Sequence, residues 1–150
     1  MELGRLIEEA RAKLGSDLLE AGGVKPLLLR VKPERVVEAA SLLKQRGFNH
    51  PLSVTGVDYP ERKEIEVIYH VSRLEDKAVV ALKVALSRDK PSLPSLRGVW
   101  PGVHLHERET WEMLGVRFEG HPELKRFLLQ DDWEEGVYPL RRDYKLKPEV

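Results

Sequence analysis

Apolar residues recur at helical spacing in two stretches of the N-terminal half. The first stretch predicts an amphipathic helix over residues 2–14, which ends at Gly15. The second predicts a helix that begins at Pro33, a residue suited to a first helical turn, and ends at Gly47. Between the two helices, residues 26–31 predict a short strand.

Three further strands follow from runs of apolar and alternating residues. A strand through residues 52–57 ends in the turn-prone segment 58–60. Residues 64–71 alternate between apolar and polar side chains, and residues 77–86 follow after a polar stretch, so the two runs predict a hairpin. The order of elements predicts an α+β fold with helices packed on one face of a mainly antiparallel sheet.

The second half of the chain is richer in proline and glycine, and only residues 104–114 predict a helix, with Gly115 as its stop. From Val116 onward neither period is present, but aromatic residues spread through the segment argue against disorder. We therefore expect residues 1–90 to form an α+β core domain. Residues 91–150 are expected to add the helix and an extended irregular C-terminal arm to the same structural unit. Such an arm needs a surface to lie on, and a partner protein is one source of that surface.

Composition narrows the function. Lys plus Arg and Asp plus Glu number 25 each, and this zero net charge disfavours a nucleic-acid-binding module on an open sheet, so no nucleic acid partner is expected. The chain has no cysteine, which excludes disulfides and thiolate-bound iron–sulfur or zinc centres. No apolar run approaches the roughly 20 residues that span a bilayer, so another protein would have to supply any membrane contact.

Motifs for the common cofactors are missing. The sequence has no glycine-rich dinucleotide or phosphate-binding loop and no serine nucleophile elbow. The glycine-flanked segment 115–120 follows a helix instead of opening one, so it cannot place a pyrophosphate on a helix N-terminus. We therefore expect no bound cofactor, no metal and no catalytic residue in this chain.

Histidines and carboxylates near residue 104 are the alternative. A helical zinc site of the His-Glu-x-x-His type would need a histidine where Thr110 stands. On a helix, His104 and His106 point about 200° apart and cannot share an ion. Solvated or hydrogen-bonded histidines are the preferred interpretation. The competing function is a freestanding metal- or carboxylate-dependent enzyme that uses His104, His106 and Glu107, which measurable activity of the purified chain with stoichiometric metal would favour.

The helix over residues 104–114 carries a carboxylate, Glu107, in the middle of its apolar face. That face consists of Val103, Thr110, Trp111 and Leu114. A carboxylate in this position is costly unless it is paired. We expect Glu107 to be a structural anchor, bonded to an arginine such as Arg141 or Arg142 or to backbone N–H groups of the arm. A general acid or proton relay is the functional rival.

Other polar residues have structural interpretations. Arg108 and Glu112 lie at i, i+4 on the opposite helix face and are predicted to pair. His121, between Gly120 and Pro122, is predicted to be a turn residue that bonds the backbone. Charged pairs along the arm alternate in sign and fit either a solvated face or a register on a charged partner; they are Lys125-Arg126, Asp131-Asp132, Glu134-Glu135 and Arg141-Arg142.

Residues 106–122 resemble the signature of the 30 kDa subunit family of complex I, the NADH-quinone oxidoreductase, in which this member is also called the C subunit. The motifs are Glu-Arg-Glu at 107–109, Phe-x-Gly-His-Pro at 118–122 and Pro-Leu-Arg-Arg-Asp at 139–143. Weaker similarity around residues 55–59 extends the resemblance over most of residues 25–145. The pairs Trp111-Glu112 and Val137-Tyr138 look closer to the homologous subunits of membrane-bound hydrogenase-type complexes.

The resemblance implies a cofactor-free subunit that packs on a large quinone-site or hydrogenase-like subunit, near the iron–sulfur subunits of the same complex. It implies a peripheral position on the cytoplasmic side of the cell membrane, with membrane contact through partner subunits only. NADH with quinone, or ferredoxin with protons or sulfur species, are equally open as donor and acceptor. The implied interface or structural residues are Glu107, Arg108, Glu109, Trp111, Glu112, Gly115, Phe118, Gly120, His121, Pro122, Arg126, Pro139, Leu140, Arg141, Arg142 and Asp143.

Overall fold

The computed structural model describes residues 2–146, which contain three α-helices and seven strands. The helices are α1 (Glu2–Leu14), α2 (Val36–Gln45) and α3 (His104–Leu114). The strands are β1 (Leu18–Gly22), β2 (Leu27–Val31), β3 (His50–Tyr59), β4 (Glu64–Arg73), β5 (Ala78–Ser87), β6 (Ser92–Pro94) and β7 (Arg117–Glu119). In this part of the chain, no helix combines the length and the apolar character that crossing a bilayer requires.

Five strands form one sheet in the order β1-β2-β5-β4-β3. The predicted hairpin is confirmed, because β4 and β5 pair antiparallel from Glu64 opposite Ser87 to Arg73 opposite Ala78. Only the contact between β2 and β5 is parallel within this sheet. The short strands β6 and β7 pair parallel to each other as a separate two-stranded sheet. The predicted α+β fold with a mainly antiparallel sheet is confirmed.

The core lies on one face of the large sheet, where α1 and α2 pack. Alternate residues of the central strands are fully buried there, namely Ile65, Val67, Tyr69 and Val71 of β4 and Val80, Leu82 and Val84 of β5. The opposite face is more exposed and polar. At its centre Glu66 is held by Arg30 at 2.7 Å and by Lys83 at 3.9 Å. Helices therefore cover one side of the sheet, as the sequence pattern predicts.

Three strands were not predicted. Strand β1 lies at the sheet edge and shows no regular alternation of buried and exposed residues, so its sequence lacks the period of a strand. Strands β6 and β7 have three residues each and depend on pairing with one another. The expectation that no strand follows Val116 was wrong for this reason. The arm, residues 120–146, contains turns and bends but neither helix nor strand, and residues 147–150 of the predicted arm lie outside the described residues.

Helix α3 packs directly on strand β3 at a glycine. A Cβ atom added at Gly56 would overlap Leu114 Cδ1 and would stand 3.2 Å from Thr110 Cγ2. Both contacts are shorter than van der Waals separation, so only glycine lets the helix approach this closely. The position of α3, and of everything attached to it, depends on this contact.

We expect the substitution Gly56→Ala to lower the free energy of unfolding by about 2 kcal/mol, because α3 must move away from β3. Chemical denaturation of the purified chain measures this. Gly22→Ala is the matched control, since Gly22 is also a strand glycine but has open space around its Cβ position. Equal stability of the two variants would contradict the packing described.

Candidate functional site

Helix α3 lies between the sheet and the arm. Its inner face buries Val103, Thr110 and Leu114 against the core, as the sequence pattern predicts. Glu107 is on the same face and is fully buried. An isolated ionised carboxylate in such a place would be strongly unfavourable, so its hydrogen-bond partners decide whether α3 can pack here at all.

Glu107 is bound by three donors. The Tyr69 hydroxyl donates to Oε2 at 2.6 Å, and the Leu96 backbone N–H donates to the same oxygen at 2.9 Å. The Ser95 hydroxyl donates to Oε1 at 2.5 Å. Burial raises the pKa of Tyr69 well above its ordinary value, and the charge of Glu107 and the hydrogen bond to it act in the same direction, so Tyr69 stays a donor. These bonds join α3 to β4 and to the segment that precedes the helix.

The predicted arginine partners of Glu107 were wrong. Arg141 donates from Nε to the carbonyl of Leu114 at 2.8 Å, and Arg142 uses its backbone N–H to bind Asp58 at 2.9 Å. Neutral donors replace a counter-charge because the inner face of α3 meets the core, whereas the arm lies across the outer face and the end of the helix.

The outer face of α3 binds the backbone of the arm through two side chains of opposite charge. Arg108 donates to the carbonyl oxygens of Lys125 at 2.6 Å and Arg126 at 2.7 Å. Glu112 accepts the backbone N–H groups of residues 127 and 128 at 2.7 and 2.6 Å. The predicted pairing of Arg108 with Glu112 was therefore wrong. Each side chain satisfies arm backbone groups that have no helix or sheet ladder to join.

A second attachment fixes the far end of the arm to strand β3. Asp58 is buried and accepts two hydrogen bonds from the Arg88 guanidinium, at 2.7 and 3.0 Å. The backbone N–H of Arg142 binds Asp58, and Asp143 lies 3.2 Å from Arg88. The Arg88 hydrogen bonds hold the pKa of Asp58 below its ordinary value, although burial opposes them, and the same pair raises the pKa of Arg88.

Between the two attachments, the arm crosses the C-terminal end of α3. Gly115 ends the helix at φ +80°, and a Cβ there would stand 2.6 Å from the ring of Tyr138. The Leu140 N–H donates to the carbonyl of Met113 at 3.1 Å. The Arg141 guanidinium lies over the Tyr138 ring, 4.8 Å from its centroid. A glycine is thus required here both by the helix end and by the arm.

The histidines of the alternative hypothesis have structural contacts. Nε2 of His121 bonds the carbonyl of His104 at 2.9 Å, and its Nδ1 accepts the N–H of Glu123 at 3.1 Å, which confirms His121 as a turn residue that bonds the backbone. His104 Nδ1 accepts from Arg97 at 3.1 Å. Across residues 2–146, no group of three His, Asp or Glu side chains is arranged to share a metal ion.

The remaining predicted residues also gather around α3 and the arm. Glu109 and Pro122 are exposed, Trp111 and Pro139 are half-buried, Phe118 is buried in β7, Gly120 begins the arm in a turn, and Arg126 donates to the Asp131 carbonyl. Four partners were missed by sequence reasoning, namely Asp58, Tyr69, Arg88 and Ser95. Only Asp58 had a signal, since it lies in the segment 55–59 that shares the family resemblance.

We expect Glu107→Gln to lower the free energy of unfolding by about 2 kcal/mol. The neutral amide accepts weaker hydrogen bonds from Tyr69 and Leu96, and its NH2 group must turn towards Ser95. Glu109→Gln, an exposed change on the same helix, is the control and should be neutral in the same denaturation experiment. Loss of turnover in a normally assembled complex would contradict a purely structural role for Glu107.

The Asp58 attachment predicts a dependence on pH. Because the folded-state pKa lies below the ordinary 3.8, the stabilisation is complete at neutral pH and is lost as the pH falls below about 4. The stability difference between the wild type and Asp58→Asn should therefore shrink in that acid range. A difference that persists unchanged at pH 3 would contradict the assignment.

The same variant should free the end of the arm. Trypsin is expected to cleave Asp58→Asn faster than the wild type after Arg141 and Arg142, with the cleavage sites read by mass spectrometry. Asp76→Asn is the matched control, since Asp76 is also bound by an arginine, Arg73, which lowers its pKa to about 2, but the pair does not hold the arm.

Comparison with known proteins agrees with this architecture. A family model described as the respiratory-chain NADH dehydrogenase 30 kDa subunit matches residues 29–150. The C subunit of the NADH-quinone oxidoreductase of Moorella thermoacetica is 37% identical over 148 residues, covering 99% of this chain and 94% of the relative. The C subunit of the F(420)H(2) dehydrogenase of Methanosarcina mazei is 38% identical over 148 residues, covering 97% and 93%. A chain in the solved structure of the membrane-bound sulfane sulfur reductase, an archaeal respiratory membrane complex, superposes with a TM-score of 0.84 at 25% identity and covers 97% of this chain and 87% of its own. The chain therefore belongs to the 30 kDa subunit family of the respiratory-chain NADH dehydrogenase.

Proposed function

We propose that this chain is a subunit of a membrane-bound respiratory complex and that α3 and the arm dock it on the large subunit of that complex. The observation that carries the proposal is the way the arm is held. Its backbone is bonded to α3 and β3, yet it presents the apolar side chains of Phe127, Leu128 and Leu140, each about half exposed or more. Large exposed apolar groups on an ordered segment are typical of a protein interface.

A role common to several redox systems supports this proposal. The relatives bear the names of an NADH-quinone oxidoreductase, an F(420)H(2) dehydrogenase and a sulfane sulfur reductase, which use different donors and acceptors. A subunit shared by all three is better suited to holding neighbours in place than to selecting an electron donor or acceptor. Donor and acceptor of this chain's own complex therefore stay open.

A cofactor-free role is part of the proposal. The sequence offers no thiolate ligand, and the buried carboxylates Glu107, Glu112 and Asp58 are each occupied by hydrogen bonds within the chain. The chain's contribution to electron transfer would be indirect, through fixed distances between the iron–sulfur subunits and the large subunit. It would sit peripherally at the cytoplasmic side of the membrane and reach the bilayer through partners only.

Docking through the arm predicts a specific loss of assembly. The double variant Leu128→Ser, Leu140→Ser should keep the stability of the isolated chain, because both side chains are exposed. Its affinity for the large subunit should fall by roughly tenfold, since apolar contact area at the interface is lost. Quantitative co-purification of the tagged chain from native membranes measures this.

The control is Val24→Ser, Leu74→Ser, which removes two equally exposed apolar side chains far from the arm along the chain. It should assemble like the wild type. Equal assembly of both double variants, or a stronger defect in the control, would contradict docking through the arm.

A further inference from the structure

Between its two attachments the arm arches away from α3 and encloses a groove of about 630 Å³. One wall is α3 itself, at Trp111 and Glu112, and the other is the arm from residue 124 to residue 138. The backbone of residues 125–128 is held by α3, and the backbone at residues 140–142 is held by α3 and β3, so the groove spans the stretch that neither attachment reaches.

The arched stretch is braced by its own hydrogen bonds. The Trp133 indole N–H donates to the carbonyl of Val137 at 2.8 Å, and the Trp133 backbone N–H donates to the carbonyl of Gln130 at 3.0 Å. The Arg126 guanidinium donates to the carbonyl of Asp131 at 2.9 Å. These bonds satisfy backbone groups that would otherwise need water, and they give the groove its shape before any partner binds.

The groove is lined by aromatic rings. Trp111, Trp133 and Tyr138 contribute to its walls, and Leu124 and Leu129 add apolar surface. The face of Tyr138 already carries the guanidinium of Arg141, 4.8 Å from the ring centroid. The two indoles are the largest aromatic surfaces left for an incoming flat cation.

Carboxylates stand at one lip of the groove, where Asp131 and Glu135 line it and Asp132 is the next residue along the chain. All three are exposed, and none has an ion-pair partner within residues 2–146. Clustered like charges repel one another and favour a cation from outside. Lys125 and Arg126 stand on the other lip, and the guanidinium of Arg126 is already bound to the Asp131 carbonyl. Opposite charges on the two lips give a bound segment one direction.

Indole faces next to unpaired carboxylates suit one side chain in particular. Arginine stacks its planar guanidinium on an aromatic ring and donates to carboxylates from its edge, whereas lysine offers a compact and strongly hydrated charge. A polypeptide fits better than a small molecule, because the exposed Phe127 and Leu128 continue the apolar surface from the groove along the arm, beyond the reach of a small ligand.

We propose that this groove receives an arginine-bearing segment of the large partner subunit, with the guanidinium between the indoles of Trp111 and Trp133 and the carboxylates of Asp131, Asp132 and Glu135. The proposal rests on the function proposed above and assigns the chemistry of the contact. The exposed apolar residues of the arm supply area, and the groove supplies specificity and register.

The test removes the three charges and keeps the shapes. The variant Asp131→Asn, Asp132→Asn, Glu135→Gln is compared with a matched control in which three exposed carboxylates elsewhere are neutralised, at Glu61, Glu75 and Asp89. The tagged full chain is purified with its complex, and its dissociation rate is measured at about physiological ionic strength. The groove variant should dissociate about tenfold faster than the wild type, and the control should stay within about twofold.

A second measurement identifies what enters the groove. A photo-cross-linking amino acid replaces Trp133 in the full chain, and the cross-linked peptide of the assembled complex is sequenced. The expected product is an arginine-containing peptide of the large subunit. A peptide without arginine, a cross-link confined to this chain, or a small molecule retained in native mass spectrometry would each overturn the proposal.

The outcomes separate the two proposals. If the wild-type chain purifies alone from membranes, the proposed function fails and this inference fails with it. If the wild type assembles and the groove variant dissociates no faster than the control, only the arginine site is wrong. Thermal unfolding of all three chains shows whether any difference comes from loss of folding.

Discussion

A segment that is neither helix nor strand must find partners for its backbone N–H and C=O groups outside itself, because leaving them unpaired away from water is costly. The arm meets this constraint through α3. Arg108 takes two successive carbonyls and Glu112 takes the next two N–H groups, so one helix face serves both ends of the peptide dipole. The arm is ordered to the extent that α3 is rigid.

The rigidity of α3 comes from its other face. Fully buried Glu107 joins the helix to β4 through Tyr69 and to the preceding segment through Ser95 and Leu96. Gly56 lets the helix come close enough to the sheet for these bonds to form. Core packing, a buried carboxylate and an irregular surface segment thus form one chain of dependence. A change in the core at Gly56 or Glu107 is expected to reach the arm, although neither residue touches it.

The sequence predicted α3 well and its contacts poorly, for physical reasons. Helix bounds depend on local period and on Gly115 as a stop, so they are visible in a short window, and the place of Glu107 in the apolar stripe is equally local. Its partners Tyr69 and Ser95 are brought together by the sheet and cannot be read from spacing. For Arg108 and Glu112, the local i, i+4 rule competes with unpaired arm backbone, and the backbone wins because its desolvation would cost more than a surface ion pair supplies. Edge strand β1 and the three-residue strands β6 and β7 owe their existence to pairing, which no periodic pattern reports.

Hydrogen exchange of the backbone amides tests the central claim most directly, because it follows the arm in the isolated chain and in the assembled complex. We predict that the amides of Phe127, Leu128, Leu140 and Arg142 are already protected in isolation. We also predict that amides between residues 129 and 136 gain protection only on assembly. An arm that exchanges freely along its whole length in isolation, or a stretch 129–136 that is unchanged in the complex, would contradict an arm that is ordered by α3 and completed by a partner.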